Sequence, residues 1–183
     1  MQGRIPSELE MSREIAKENV SLELLAERLT EAGYEIELDK DDNIISIART
    51  GVNLRLQLYP DLNSIRFRSH LYLNRHLSDD DVKSLLSNLN EMIYLAKFTH
   101  HRWDDGDLAL VAGYAIYYTF GLNMPNTIFA MRRFVDSQMG VYQDHIKGTA
   151  YEYKEEQTPS LIKNDDSQVT ESEASAEKEN KSR

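Results

Sequence analysis

Three acidic clusters, a pair of adjacent histidines and a row of arginines are the places in this 183-residue chain where residue type and spacing suggest chemistry. Asp39, Asp41 and Asn43 copy the first ligand positions of a calcium loop. Such a loop also needs a glycine to bend it and a glutamate to close it, and Ile44 and Thr50 occupy those positions. A polar turn is expected there. Asp79, Asp80 and Asp81 follow Ser78, where a helix dipole favours each acid by about 0.3 to 1 kcal/mol, so capping explains them without a metal. Asp104, Asp105, Gly106 and Asp107 read as a tight turn with positive φ at Asp105 and Gly106. His100 and His101, as strand neighbours, point to opposite faces and cannot share a zinc ion. His70 and His76 flank a strand end with no third ligand in view. The chain has no cysteine, which removes disulfides, thiolate metal sites and cysteine nucleophiles together. With no GxSxG, GxxxxGK[ST] or GxGxxG run and no acidic pair marked for acid–base work, neither an enzymatic reaction nor a cofactor or metal is implied.

A net charge of −10 repels phosphate at long range, so neither nucleic acid nor an anionic membrane is the expected partner. The first residues alternate acids and bases with no signal-peptide core, and no apolar run approaches the ~18 residues of a membrane span. Together with the missing thiols, this leads to an expected cytoplasmic location.

Composition divides the chain into three. Residues 1–19 form an N-terminal extension, with loose periodicity for a short helix from Pro6 to Lys17. Residues 20–148 have the size and patterning of one folded domain. Residues 149–183 are rich in Glu, Ser, Lys and Asn and hold few large aliphatic side chains, so a disordered acidic tail is expected, losing amide protection and protease resistance first.

Within the domain, Ser21 caps a helix with Leu22, Leu25, Ala26 and Leu29 on one face, stopped at Gly33. Four strands follow in a meander, at 34–39, 44–49, 52–59 and 64–74, joined by turn residues. Their alternation sets a register in which Ile47 meets Leu54, Ile45 meets Leu56, Leu56 meets Phe67 and Leu58 meets Ile65. A slip of one residue would set leucines against arginines. A second capped helix starts at Ser78, a hairpin turns at Asp105 and Gly106, and a final amphipathic helix covers about residues 126–147. The order α-β-β-β-β-α-β-β-α describes an α+β layer of antiparallel sheet and helices.

That register places Arg55 directly opposite Arg68 and Arg66 opposite Gln57, with His70 beside them, all on the side away from the leucines. Glu37 lies two strands from Arg55, about 9 to 10 Å at normal spacing, too far for a salt bridge. Arg55, Arg66, Arg68 and His70 are therefore a candidate docking site for an acidic segment, whether of an unknown partner protein or of the chain's own tail; the alternative is a solvated face with splayed side chains. The run from Leu108 to Phe120 carries apolar residues on both faces. Its odd-numbered face, Val111, Gly113, Ala115 and Tyr117, combines small and large residues and suggests a homodimer interface.

The helix ending LeuThrGluAlaGlyTyr (29–34), the hairpins IleIleSerIleAlaArg and ValAsnLeuArgLeuGlnLeu, the helix containing LeuLeuSerAsnLeuAsn (85–90), the strand from Leu108 and the closing helix together resemble the bacterial YbjN family over about residues 20–146. The resemblance implies a type III secretion chaperone-like fold and a place among sensory-transduction or stress-response regulators, with no known reaction and no functional residue to carry over. Two functions follow as expectations. One is a homodimeric regulator or chaperone-like domain that docks polypeptides. The other is a small-molecule or lipid-responsive domain with a pocket walled by Trp103, Tyr114, Tyr118 and Phe120.

Overall fold

In the computed structural model, which describes residues 14–154, the chain starts with β1 (Glu14–Ile15) and a 3-10 turn at Lys17–Asn19. Then come α1 (Leu22–Glu31), the strands β2 (Ile36–Asp39), β3 (Ile44–Ile47), β4 (Asn53–Tyr59) and β5 (Ser64–Leu73), and α2 (Asp79–Met92). The hairpin β6 (Lys97–Arg102) and β7 (Leu108–Tyr117) leads through β8 (Leu122–Asn123) into α3 (Met124–Val141) and a π-helical turn. The helix and strand order expected from the sequence is observed, with the short β1–β8 ladder added.

Six strands form one antiparallel sheet in the order β2-β3-β4-β5-β7-β6. The meander has the expected register throughout: Ile47 opposite Leu54, Ile45 opposite Leu56, Leu56 opposite Phe67 and Leu58 opposite Ile65. Alternation of leucine and polar residues dictates this, because the leucine face is the one the helices cover. α1 lies against β2 and β3, α3 against β5 and β7, and α2 against β6. Leu25, Leu29, Leu89, Met131 and Phe134 join Ile45, Leu54, Leu56, Ile65 and Phe67 in a single buried core. The helices thus occupy one side of the sheet, and the other side carries the polar half of each strand.

Local chemistry explains the element ends. Ser21 accepts from the Leu24 N–H at 3.2 Å, and Ser78 with Asp81 forms a reciprocal capping box. Asp39 Oδ1 accepts from the N–H groups of Asp41 and Asp42, so the calcium-like run is a side-chain-stabilised turn. The β6–β7 turn departs from expectation. Only Gly106 is left-handed there, at φ +89°, and Trp103 N–H donates to the Asp107 carbonyl while Gly106 N–H donates to that of Trp103. This is a three-residue loop with glycine at the left-handed position, not a turn that needs positive φ at Asp105 as well.

The two ends of the domain also differ. Glu14 and Ile15, expected at the end of a helix, pair instead with Asn123 and Leu122; the rest of the expected Pro6–Lys17 helix up to residue 13 lies outside the described residues. That pairing requires Gly121, whose φ is +115° and whose position would put a Cβ 2.9 Å from the Ile15 carbonyl oxygen. At the other end, residues 149–153, assigned to the tail by composition, close onto the domain. Tyr151 accepts from the Asn74 N–H at 3.0 Å, Glu152 bridges to Leu73, and the Tyr153 ring packs, tilted, 6.0 Å from that of Tyr72. The remaining tail, from residue 155, lies outside the described residues. Among the described residues no helix is long and apolar enough to cross a membrane.

Candidate functional site: the helix-free face of the sheet

The side of the sheet away from the helices collects both sets of residues that the sequence singled out. Arg55 stands opposite Arg68, which in turn stands opposite Gly113. Arg66 is opposite Ala115, and His70 opposite Val111. The arginine row and the small-residue face of β7 are therefore neighbouring strands of one surface, because β7 pairs with β5 along its full length. Strand β6 adds to it: Lys97 pairs with Gly113, Thr99 with Val111 and His101 with Ala109. Since Phe98 is buried in the core, alternation turns Lys97, Thr99 and His101 to the open face.

Tyr59 organises the arginines. Its ring centroid lies 4.5 Å from the Arg66 guanidinium carbon, a cation–π contact. Its hydroxyl accepts a long hydrogen bond from Arg68 Nη2 at 3.5 Å and donates to Gln57 Oε1 at 2.5 Å. None of Arg55, Arg66, Arg68 or Lys97 has a carboxylate partner among the described residues, whereas Arg28, Lys40, Arg49, Arg75, Lys83 and Arg102 each pair with an acid elsewhere. Glu37, opposite Ser46, which is opposite Arg55, is two strands away as expected.

The two ends of the face differ. Around Ala109, which is fully buried, Trp103 packs 6.0 Å from Tyr72 and edge-on to His101 at 4.5 Å, and the Tyr153 ring also lies 6.0 Å from that of Tyr72. At the other end Tyr117 is 73% exposed. Between them runs a shallow groove of about 730 Å³ lined by Arg66, Arg68, His70, Lys97, Val111 and Gly113, among others.

Burial and then the charges of Arg55, Arg68 and His101 hold the His70 pKa below the ordinary histidine value. The unfolded chain therefore takes up a proton as the pH falls through that ordinary value, near 6.5, while folded His70 takes one up only at lower pH. Stability from this group is present above that pH and is lost on acidification. Wild type should lose melting temperature faster than His70→Gln between about pH 7.5 and 5.5; identical slopes would show that His70 is not held neutral.

The aromatic wall is not assembled. Tyr114 faces the core, 5.8 Å from Phe67, Tyr118 is buried, and Phe120 is completely exposed. Trp103 lies on the open face with His101 and Tyr72. The expected strand ends at Tyr117, and the turn closed by the Gly121 N–H on the Tyr118 carbonyl sends these side chains in different directions. The other histidine, His100, is exposed and stands opposite Leu110, on the side of β6 away from His101.

Sequence reasoning missed Tyr59 and the β6 residues Lys97 and Thr99, and weighed His101 only as half of a zinc pair. The alternation of β6 and its turn hold the signal for the β6 residues. What could not be counted from the sequence is that β7 lies beside β5, since no tight turn joins them.

No protein-family model matches this chain, and neither does any curated protein. Among solved structures it is similar to YbjN, described as "a putative transcription regulator from E. coli", with a TM-score of 0.53 at 17% sequence identity over 68% of this chain and 94% of that one. The fold is YbjN-like. At that identity the likeness extends to the architecture of sheet and helices and assigns no residue a role.

Proposed function

We propose that this protein is a non-enzymatic cytoplasmic regulator that docks an acidic stretch of a partner polypeptide on the helix-free face of its sheet. The observation that carries this reading is the group of Arg55, Arg66, Arg68 and Lys97, four cations on adjoining strands of a net-acidic protein with no carboxylate partner among the described residues. Opposed like charges such as Arg55 and Arg68 disfavour the pairing by a few tenths of a kcal/mol up to about 1. An incoming acidic segment relieves that repulsion and gains charge-assisted hydrogen bonds. The regulatory role agrees with the description of the YbjN structure it resembles.

The exposed ring of Tyr117 favours self-association as a second activity of the same surface. Because Val111, Gly113, Ala115 and Tyr117 are interleaved with the cations, a two-fold contact here sets the positive rows of two copies against each other. Dimer and acidic partner therefore compete, and salt acts on them in opposite senses. Light scattering on the full chain should show more dimer at about 500 mM than at about 50 mM salt, while binding of poly-glutamate weakens over the same range. A dimer insensitive to both salt and poly-glutamate would place its interface elsewhere.

A further inference from the structure

We infer that the hollow over Gly113 is a phosphate-group site, and that the segment docking on this face carries a phosphoserine there. This deepens the docking reading and rests on it. Gly113 is bracketed by Arg68 on one neighbouring strand and Lys97 on the other, and a Cβ built on it would meet nothing within 4 Å. Opposed side chains on one sheet face stand about 4.5 to 5.5 Å apart at their Cβ atoms. The missing side chain therefore leaves a gap between two cations whose stems rise on either side. Thr99 and His70 flank the next position along, at Val111, and supply donors that need no charge. A carboxylate brings one negative charge and two oxygens, leaving Arg68 or Lys97 uncompensated. A phosphoserine brings about 1.5 to 2 negative charges and three acceptor oxygens. It matches the two flanking cations, with the planar guanidinium of Arg68 suited to two oxygens at once.

The test uses the full chain and fluorescently labelled eight-residue peptides of alternating serine and glutamate, identical except for phosphoserine, serine or glutamate at one central position. The phosphoserine peptide should bind about tenfold or more tightly than either of the others. Lys97→Gln should weaken the serine peptide as the loss of one docking cation does, but weaken the phosphoserine peptide by about tenfold more, so that the advantage disappears. Gly113→Val, which fills the hollow with a residue suited to strands, should also remove the advantage, so the two variants check each other. Three peptides binding equally would overturn the phosphate assignment and leave the docking reading standing. No binding by any of them would overturn both. A single-stranded oligonucleotide of equal charge binding as tightly as the phosphoserine peptide would overturn the assignment in favour of a phosphodiester.

Discussion

Replacing Arg55 and Arg68 together by glutamate is expected to weaken binding of poly-glutamate by about 100-fold or more while leaving the melting temperature nearly unchanged. The asymmetry follows from geometry. The two residues are directly opposed on β4 and β5, and like charges of either sign repel there to a similar degree. Arg55 is exposed and Arg68 half-buried, so their stems can keep the charges in water, and the core on the other side of the sheet is untouched. Within the fold, the double substitution removes the long hydrogen bond that Arg68 donates to Tyr59, a weak one at that length. Binding suffers twice, because two attractive charges vanish and two repulsive ones take their place. The reversal should also raise the pKa of His70, since both arginines now depress it. Lys83→Glu, on α2 and paired with Asp80, serves as a control that alters net charge away from the face and should leave binding unchanged. A reversed double variant that still binds poly-glutamate like wild type would mean that the row is an ordinary solvated face.

The largest stability effect is expected at Phe67. It is fully buried, opposite Leu56 on one side and Tyr114 on the other, with the Phe134 ring 6.1 Å away on α3. Phe67→Ala removes the side chain that joins the sheet centre to that helix and leaves a cavity, at a cost of about 3 to 5 kcal/mol. Against the ~5 to 15 kcal/mol typical of a domain, that is a large part of the total. Urea unfolding should show a much lower midpoint with little change in slope. A loss below about 1 kcal/mol would contradict the central place given to this ring. Because Phe67 lies between Arg66 and Arg68 on β5, the same substitution should loosen the open face as well, and its effect on binding has to be read at a temperature where the variant is folded.

What was legible in the sequence was whatever local pattern decides. The meander register could be counted because apolar and polar residues alternate from Leu54 to Leu58 and again from Ile65 to Arg68, and only one pairing keeps the apolar side chains together. Ser21 and Ser78 marked helix starts through the backbone N–H groups that they cap. Pairings between distant stretches of chain were not legible. The pairing of Ile15 with Leu122 depends on the conformation of Gly121, more than a hundred residues away, and nothing near Glu14 announces it. The closing of Tyr151 onto Asn74 depends on where α3 delivers the chain. The same limit hid the most consequential feature of the site. Arg68 and Gly113 were both singled out, but as members of two separate surfaces, because a helix and a strand intervene between β5 and β7 and no turn chemistry fixes their adjacency.

The most direct test of docking on the helix-free face is a chemical-shift map of the isotope-labelled full chain titrated with poly-glutamate. Saturable shifts should concentrate at Arg55, Arg66, Arg68, His70, Lys97 and Gly113, with the amides of α1, α2 and α3 little changed. Shifts centred on the helices, or none on β5 and β7, would contradict the assignment of this face as the docking surface.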